Sequence, residues 1–328
     1  MVFHELEHLN TPLEFVQLVY DDVSAHLSRT QRTTQRVAGF LRSLKGVEIG
    51  GVIKFPESLG AEWKALLTNT IADLLEHHEK TLLFLWDEMP MMLSNIKRYH
   101  GEPLAEELLN TLRALRQTHP GFRMVYTGSI GLHHVITALK RAGYANDPTN
   151  DMHKVDVPPL APHDAADLAR RLLEGEGLHS MHPAQRAHDI AMMVDGCPYY
   201  IHHIVDRLCQ GELDTPITDI VNDCLTAAND PWDLRHYHDR ITTYYSLEDQ
   251  PYVLPVLDTL ATARSPLTFE ALFDGLKAHL VTEDRERVRA VLRLLHEDHY
   301  VTRHADGSWQ WRFALLQRWW RLEQGLCA

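Results

Sequence analysis

The sequence has 328 residues, enough for about two domains with separate cores, and its 45% hydrophobic and 23% charged residues are those of an ordinary soluble globular protein. A formal charge of −13 excludes a protein that coats nucleic acid through bulk electrostatics, though not one with a local basic face. No apolar run nears the ~20 residues of a membrane span, no basic, apolar signal peptide is seen, and Cys197, Cys209, Cys224 and Cys327 form neither a CxxC pair nor a disulfide scaffold, so a cytoplasmic protein without membrane contact is expected.

The first element contains HELEH, the His-Glu-x-x-His pattern of zinc metalloproteases. That chemistry needs a helix, on which His4 and His8 share a face and Glu5 serves as general base. The residues that follow place the helix start later: Thr11 as N-cap, Pro12 at the first helical position and Glu14 closing a capping box. Residues 2–8 then form a strand, with His4 and His8 roughly 13 Å apart, too far for one ion whose Zn–N bonds are about 2.0–2.1 Å. The extended zincin pattern fails as well, because Thr11 stands at its glycine position. No zinc is expected.

A second helix is expected over Thr30–Leu44, inside a stretch from Ser28 to Lys45 that carries Arg29, Arg32, Arg36, Arg42 and Lys45 without an acid. A solvated helix face accounts for it. The 22 histidines include His77-His78, His133-His134 and His202-His203, but neighbours on a helix point about 100° apart and rarely chelate together. VEIGGVIKF reads as a short hairpin and Glu62–His78 as a helix. TLLFLW, closed by Asp87-Glu88, has the continuous apolar character of a strand buried on both faces of a parallel sheet. A helix over Leu104–Thr118, a buried strand FRMVYT stopped at Gly128-Ser129, a helix over Gly131–Arg141 and a short strand KVDV (154–157) follow. Strands alternating with helices define an α/β parallel sheet.

Beyond Pro162 only helices are expected, over Asp164–Leu173, Pro183–Val194, Pro198–Cys209, Pro216–Ala228 and Asp233–Tyr245. The last ~75 residues read as three helices (Tyr252–Ala263, Thr268–Ala278, Asp284–Asp298) and two strands turning at Asp306-Gly307, which together make a winged helix. The domains expected are 1–160, 161–246 and 247–328.

Chemistry concentrates at strand ends, where open α/β sheets bind ligands. An Asp at position 87 can hold Mg²⁺ through its water shell, and Glu88 can polarise an attacking water. About 35 residues on, Thr127 and Ser129 supply hydroxyls at the end of the next strand. Helix-capping acids and ordinary turn hydroxyls are the alternatives for these four residues.

LLFLWDE at 82–88, TGS at 127–129, PPLAPHDA at 158–165 and GCP at 196–198 together resemble the AAA+ ATPases, specifically the STAND-type, archaeal-ATPase-like branch with a C-terminal winged helix. The resemblance implies a P-loop sheet, a helical lid and an ATP-driven switch. Asp87 and Glu88 would act as a Walker B pair in attack of water on the γ-phosphate, Thr127 and Ser129 as sensors, and Gly196 and Pro198 as neighbours of the base. Arg141 stands where relatives often carry an arginine finger, although a helix-terminal cation is an equal use of it. Arg285, Arg289 and Arg293, spaced by four on one face of the Asp284–Asp298 helix, could contact duplex DNA, but Glu286, Glu297 and Asp298 share that helix and winged helices of this family often bind protein. Trp309, Trp311, Trp319 and Trp320 are expected to pack the wing against the final helix.

The departure from the family is the phosphate loop. No GxxxxGK[ST] occurs in the 328 residues, and the nearest approach, GVEIGGVIK, lacks the Gly-Lys-Ser/Thr. HELEH then falls where the second strand of the domain belongs, and the central first strand would be missing, leaving a gap in the sheet. A shortened sequence or mis-assigned start codon would make the complete protein an ATPase that binds ATP and Mg²⁺, and in-frame DNA ahead of Met1 would encode the loop. A degenerate domain would instead be a non-enzymatic adaptor for DNA, protein or a second copy, acting through the winged helix.

Overall fold

The computed structural model describes residues 2–26, 48–49, 52–53, 57–76, 81–129, 131–211, 215–277 and 284–326. The expected helix over Thr30–Leu44, its basic stretch, His77-His78 and Cys327 lie outside them. The chain forms two compact units, Met1–Lys154 and Val155–Ala328. The segments expected as lid and C-terminal domain thus belong to one unit.

In the first unit, β1 (Val2–Glu5) runs straight into a turn and then α1 (Pro12–His26). HELEH therefore begins on a strand. The capping box forms: the Glu14 N–H donates to Thr11 Oγ1 at 3.1 Å, and the Thr11 N–H donates back to Glu14 Oε2 at 3.0 Å. His4 is tied to Asp22 of α1 through Nε2 and Oδ1 at 2.7 Å.

The short antiparallel pair β2 (Glu48–Ile49) and β3 (Val52–Ile53) is the expected hairpin, and α2 (Trp63–Glu76) follows a 3₁₀ turn. Next come β4 (Leu82–Asp87), α3 (Met89–His100), α4 (Glu102–Thr118), β5 (Phe122–Tyr126) and α5 (Leu132–Arg141). Helix α3 is absent from the sequence reading, although Met89, Met92, Leu93 and Ile96 give it a buried stripe and Pro90 suits its first turn. The stripe of α4, Leu108, Leu109, Leu112 and Leu115, is buried as expected.

β1, β4 and β5 form one parallel sheet in that spatial order. No gap separates these three. Two expectations need correction. First, β4 is not buried on both faces: Phe84 and Trp86 are fully buried, whereas Leu83 and Leu85 on the other face are half-exposed, and on β5 Arg123 and Val125 are exposed. Continuous apolarity of a strand records a need for two covers, but not the delivery of the second. Second, KVDV is not a strand, and Val155 and Val157 are 73% and 82% exposed. A strand exists only through a ladder partner, and residues 154–157 have none among the described residues.

The inner face of the sheet is an aromatic cluster. Trp86 meets Phe15 of α1 edge-on at 4.9 Å and stacks on Tyr126 at 6.0 Å, while Phe84 meets Phe122 at 5.4 Å.

The second unit is helical: α6 (Pro162–Gly175), α7 (Pro183–Met193), α8 (Pro198–Gln210), α9 (Ile217–Thr226), α10 (Arg235–Tyr244), α11 (Gln250–Thr262), α12 (Phe269–Leu276) and α13 (Arg285–Glu297). The hairpin β6 (Val301–Arg303) and β7 (Trp309–Trp311) and then α14 (Ala314–Glu323) close it. Three of its first four helices begin at proline, which loses nothing there because a first-turn N–H has no intrahelical partner. Leu267 adds a bridge to the hairpin, exchanging two backbone hydrogen bonds of 2.8 Å with Trp309. Trp309, Trp311, Trp319 and Trp320 are all buried, and their indoles pack hairpin against α14, with Trp311 and Trp320 5.5 Å apart. Among the described residues no helix is long and apolar enough to cross a membrane.

Candidate functional site

The carboxyl ends of β4 and β5 lie side by side because the two strands pair in register, Trp86 opposite Tyr126. Thr127 extends the ladder, donating its N–H to the Trp86 carbonyl at 3.0 Å, and its own carbonyl accepts from Met89 at 3.2 Å. The expected acids and hydroxyls are therefore brought together. Thr127 Oγ1 donates to Asp87 Oδ1 at 2.6 Å, and the Glu88 N–H donates to the same oxygen at 3.1 Å. Glu88 accepts twice from Ser129, from its N–H at 2.9 Å and its hydroxyl at 3.1 Å.

Two backbone features hold this geometry. Glu88 sits in the left-handed region at φ 53°, a conformation that costs a non-glycine residue about 1–2 kcal/mol, and it heads α3 without capping it through its side chain. Gly128 passes so close to α3 that a Cβ there would lie 2.7 Å from Pro90 Cδ. The reason for a glycine between Thr127 and Ser129 is thus steric, a role that the sequence alone does not reveal.

Donors and acceptors divide by chemistry. Asp87 Oδ2 has no hydrogen bond among the described residues, so one hard carboxylate oxygen beside a threonine hydroxyl is available, the donor set that suits Mg²⁺ and its water shell. The phosphate side does not fit in the same way. A triphosphate needs a cradle of backbone N–H groups and a lysine, and the sequence contains no such loop.

The other expected residues stand elsewhere. Arg141 ends α5, and Lys140 beside it pairs with Asp147. In the second unit Gly196 has φ +70°, and a Cβ there would lie 2.6 Å from the Leu160 carbonyl oxygen; the Leu160 N–H in turn donates to the Gly196 carbonyl at 3.1 Å. Pro198 opens α8. On α13, Arg285 pairs with Glu270 and lies over Phe269 and Phe273, and Arg289 pairs with Glu286 and lies over Phe269. Arg293 is exposed.

A brace behind β5 escaped the sequence reading. Arg116 of α4, nearly buried, grips Asp151 with two bonds of 2.8 and 3.1 Å, Tyr126 Oη at 3.0 Å and the Pro148 carbonyl at 2.9 Å. It fixes the polar loop 144–151 against the strand that carries Thr127. Burial pushes the Tyr126 hydroxyl well above its ordinary range, so it remains a neutral partner. The sequence signal was faint: an arginine at the polar end of an otherwise leucine-striped helix.

No family model matches the sequence, and no curated protein is similar to it. Among solved structures the chain is similar in fold to the Walker-type ATPase PABY2304 of Pyrococcus abyssi, with a TM-score of 0.62 at 14% identity, over 98% of this chain and 83% of that one. The α/β sheet and following helices are thus those of a P-loop ATPase-like fold.

Proposed function

We propose that the protein is a P-loop NTPase-like switch of the AAA+/STAND type that carries the hydrolytic half of the nucleotide site. One observation carries this reading: an Asp-Glu pair at the carboxyl end of a parallel sheet, held by a threonine and a serine from the neighbouring strand. Bound Mg²⁺ would supply charge neutralisation at phosphate oxygens. Asp87 holds the hydration shell of that ion through Oδ2, with Thr127 fixing Oδ1. Glu88, oriented by Ser129, takes the proton of a water. Gly196 and Pro198 border the base, and Arg141 is a candidate for the trans-acting cation. The phosphate cradle is supplied by a segment outside these 328 residues.

The test is nucleotide binding and turnover with Mg²⁺. The 328 residues alone bind no ATP; a polypeptide that also carries a GxxxxGK[ST] segment binds and hydrolyses it. In that polypeptide Glu88→Gln retains nucleotide and loses turnover. Unchanged turnover in Glu88→Gln refutes the assignment.

A second reading, favoured by the missing loop, is a non-enzymatic adaptor acting through α11–α13 and the β6–β7 hairpin, a winged-helix arrangement. Residues 247–328 carry ten Arg and Lys against twelve Asp and Glu, a net −2, and two of the three α13 arginines are already paired with acids. A protein partner therefore suits this module better than duplex DNA, whose binding rises from counterion release by free cations. Salt-dependent DNA binding by the full chain, lost in Arg293→Glu, would reverse that preference.

A further inference from the structure

The outer edge of β5 is open. Leu82 donates to the Gly121 carbonyl and Thr127 to the Trp86 carbonyl, so residues 121, 123, 125 and 127 turn their backbone groups toward β4. Alternation along a parallel strand turns those of Phe122, Met124 and Tyr126 outward. The groups of Phe122 are occupied: its N–H donates to His119, and its carbonyl accepts from the Arg123 guanidinium. Four groups are left, the N–H and C=O of Met124 and of Tyr126, with no strand beside them among the described residues. The usual guards of a free edge are sparse here. β5 has no proline, and Arg123 is its one charge.

The exposed face of the sheet continues to this edge as an apolar row. Phe3, Leu85 and Val125 are register partners across the three strands, and Phe3 and Val125 are 60% and 42% exposed. At the carboxyl end, Asp87 and Glu88 are satisfied by hydroxyls and amides, with no cation paired to either among the described residues.

We infer that this edge binds a second copy of the chain, β5 against β5, antiparallel about a two-fold axis normal to the sheet. One register satisfies every feature at once. With Met124 opposite Tyr126 of the partner subunit, all four unmet groups of each copy are paired. Val125 then faces Val125 of the partner subunit in a non-hydrogen-bonded pair, Cα atoms about 4.5 Å apart, and the apolar row runs unbroken through six residues. The same register sets Arg123 opposite Thr127 of the partner subunit, next to that subunit's Asp87, which Thr127 contacts at 2.6 Å. Long side chains reach diagonal neighbours at such distances, so each copy delivers a guanidinium to the other's acid pair. The interface is isologous, the commonest form of self-association. The register two residues away pairs Met124 with itself and brings the occupied Phe122 groups into the ladder. It wastes what the first register uses. The inference uses Asp87 and Glu88 only as charges and stands apart from nucleotide hydrolysis.

Sedimentation equilibrium and cysteine cross-linking of the full chain test it. The wild type is a dimer. Val125→Cys gives a disulfide-linked dimer on mild oxidation, above the level set by the native cysteines. Arg123→Cys does not, since in this register the two copies of position 123 lie four residues out of step, about 13 Å. Val125→Lys sets like charges face to face and yields a monomer with an unchanged circular dichroism spectrum. A monomeric wild type, a Val125→Lys dimer, or cross-linking through position 123 instead of 125 overturns the inference.

Discussion

Removing the Asp151 carboxylate provides a strong test of how the first unit is held together. Arg116 and Asp151 form a two-pronged pair in which the arginine side chain is 10% exposed and the aspartate 25%. Asp151→Ala leaves the guanidinium with Tyr126 and the Pro148 carbonyl only. Breaking a fully buried pair by deleting one partner costs about 3–5 kcal/mol. The exposure of Asp151 lets water replace part of what is lost, so about 2–3 kcal/mol is expected here. With a urea slope of about 2 kcal/mol per molar, the unfolding midpoint of this unit falls by about 1 M. The pair also has a pH signature. The hydrogen bonds from Arg116 hold the Asp151 carboxyl below its usual 3.8. Between the folded and unfolded values the unfolded chain binds more protons, so the stabilisation is complete above the unfolded value and disappears as pH falls through the folded one. The difference between wild type and Asp151→Ala therefore closes on acidification. Urea unfolding at pH 7 and at pH 3, followed by circular dichroism, measures both effects. A midpoint shift under about 0.2 M at pH 7, or a difference that widens in acid, refutes the account.

Three further outcomes are expected. Thr11→Ala removes the N-cap of α1 and costs about 1 kcal/mol, while Thr11→Ser restores nearly all of it, both read from denaturation midpoints. Gly128→Ala forces a methyl to within 2.7 Å of Pro90, displaces the Thr127–Ser129 turn at about 1–3 kcal/mol, and exposes the Ser129 amide to faster hydrogen exchange. Asp195 accepts the Leu315 N–H of α14 at 2.8 Å, and burial raises its carboxyl above 3.8. The folded state then binds the proton more tightly, so its contribution falls as pH rises through the folded value, and Asp195→Asn flattens the stability curve over that interval.

Sequence alone determined what depends on near neighbours. The capping box at Thr11-Pro12-Leu13-Glu14 starts α1 where four adjacent residues say it must. The leucine stripe of α4 and the prolines that open the second unit's helices were legible for the same reason, since helix start and face are set within one or two turns. Asp87, Glu88, Thr127 and Ser129 were picked out as strand-terminal residues, and the structure brings them within hydrogen-bonding distance. What the tertiary structure decided was every matter of partnership. KVDV has a strand's composition and no ladder, because pairing belongs to two segments and sequence pattern to one. The α13 arginines form a stripe in sequence, yet Phe269, Phe273, Glu270 and Glu286 engage two of them, a fact fixed largely by the packing of α12. The Arg116 brace joins α4, β5 and a loop about 35 residues away, and the open edge of β5 follows from which strands lie beside it. Local propensity is written in consecutive residues; burial and pairing arise only when distant segments compete for the same surface.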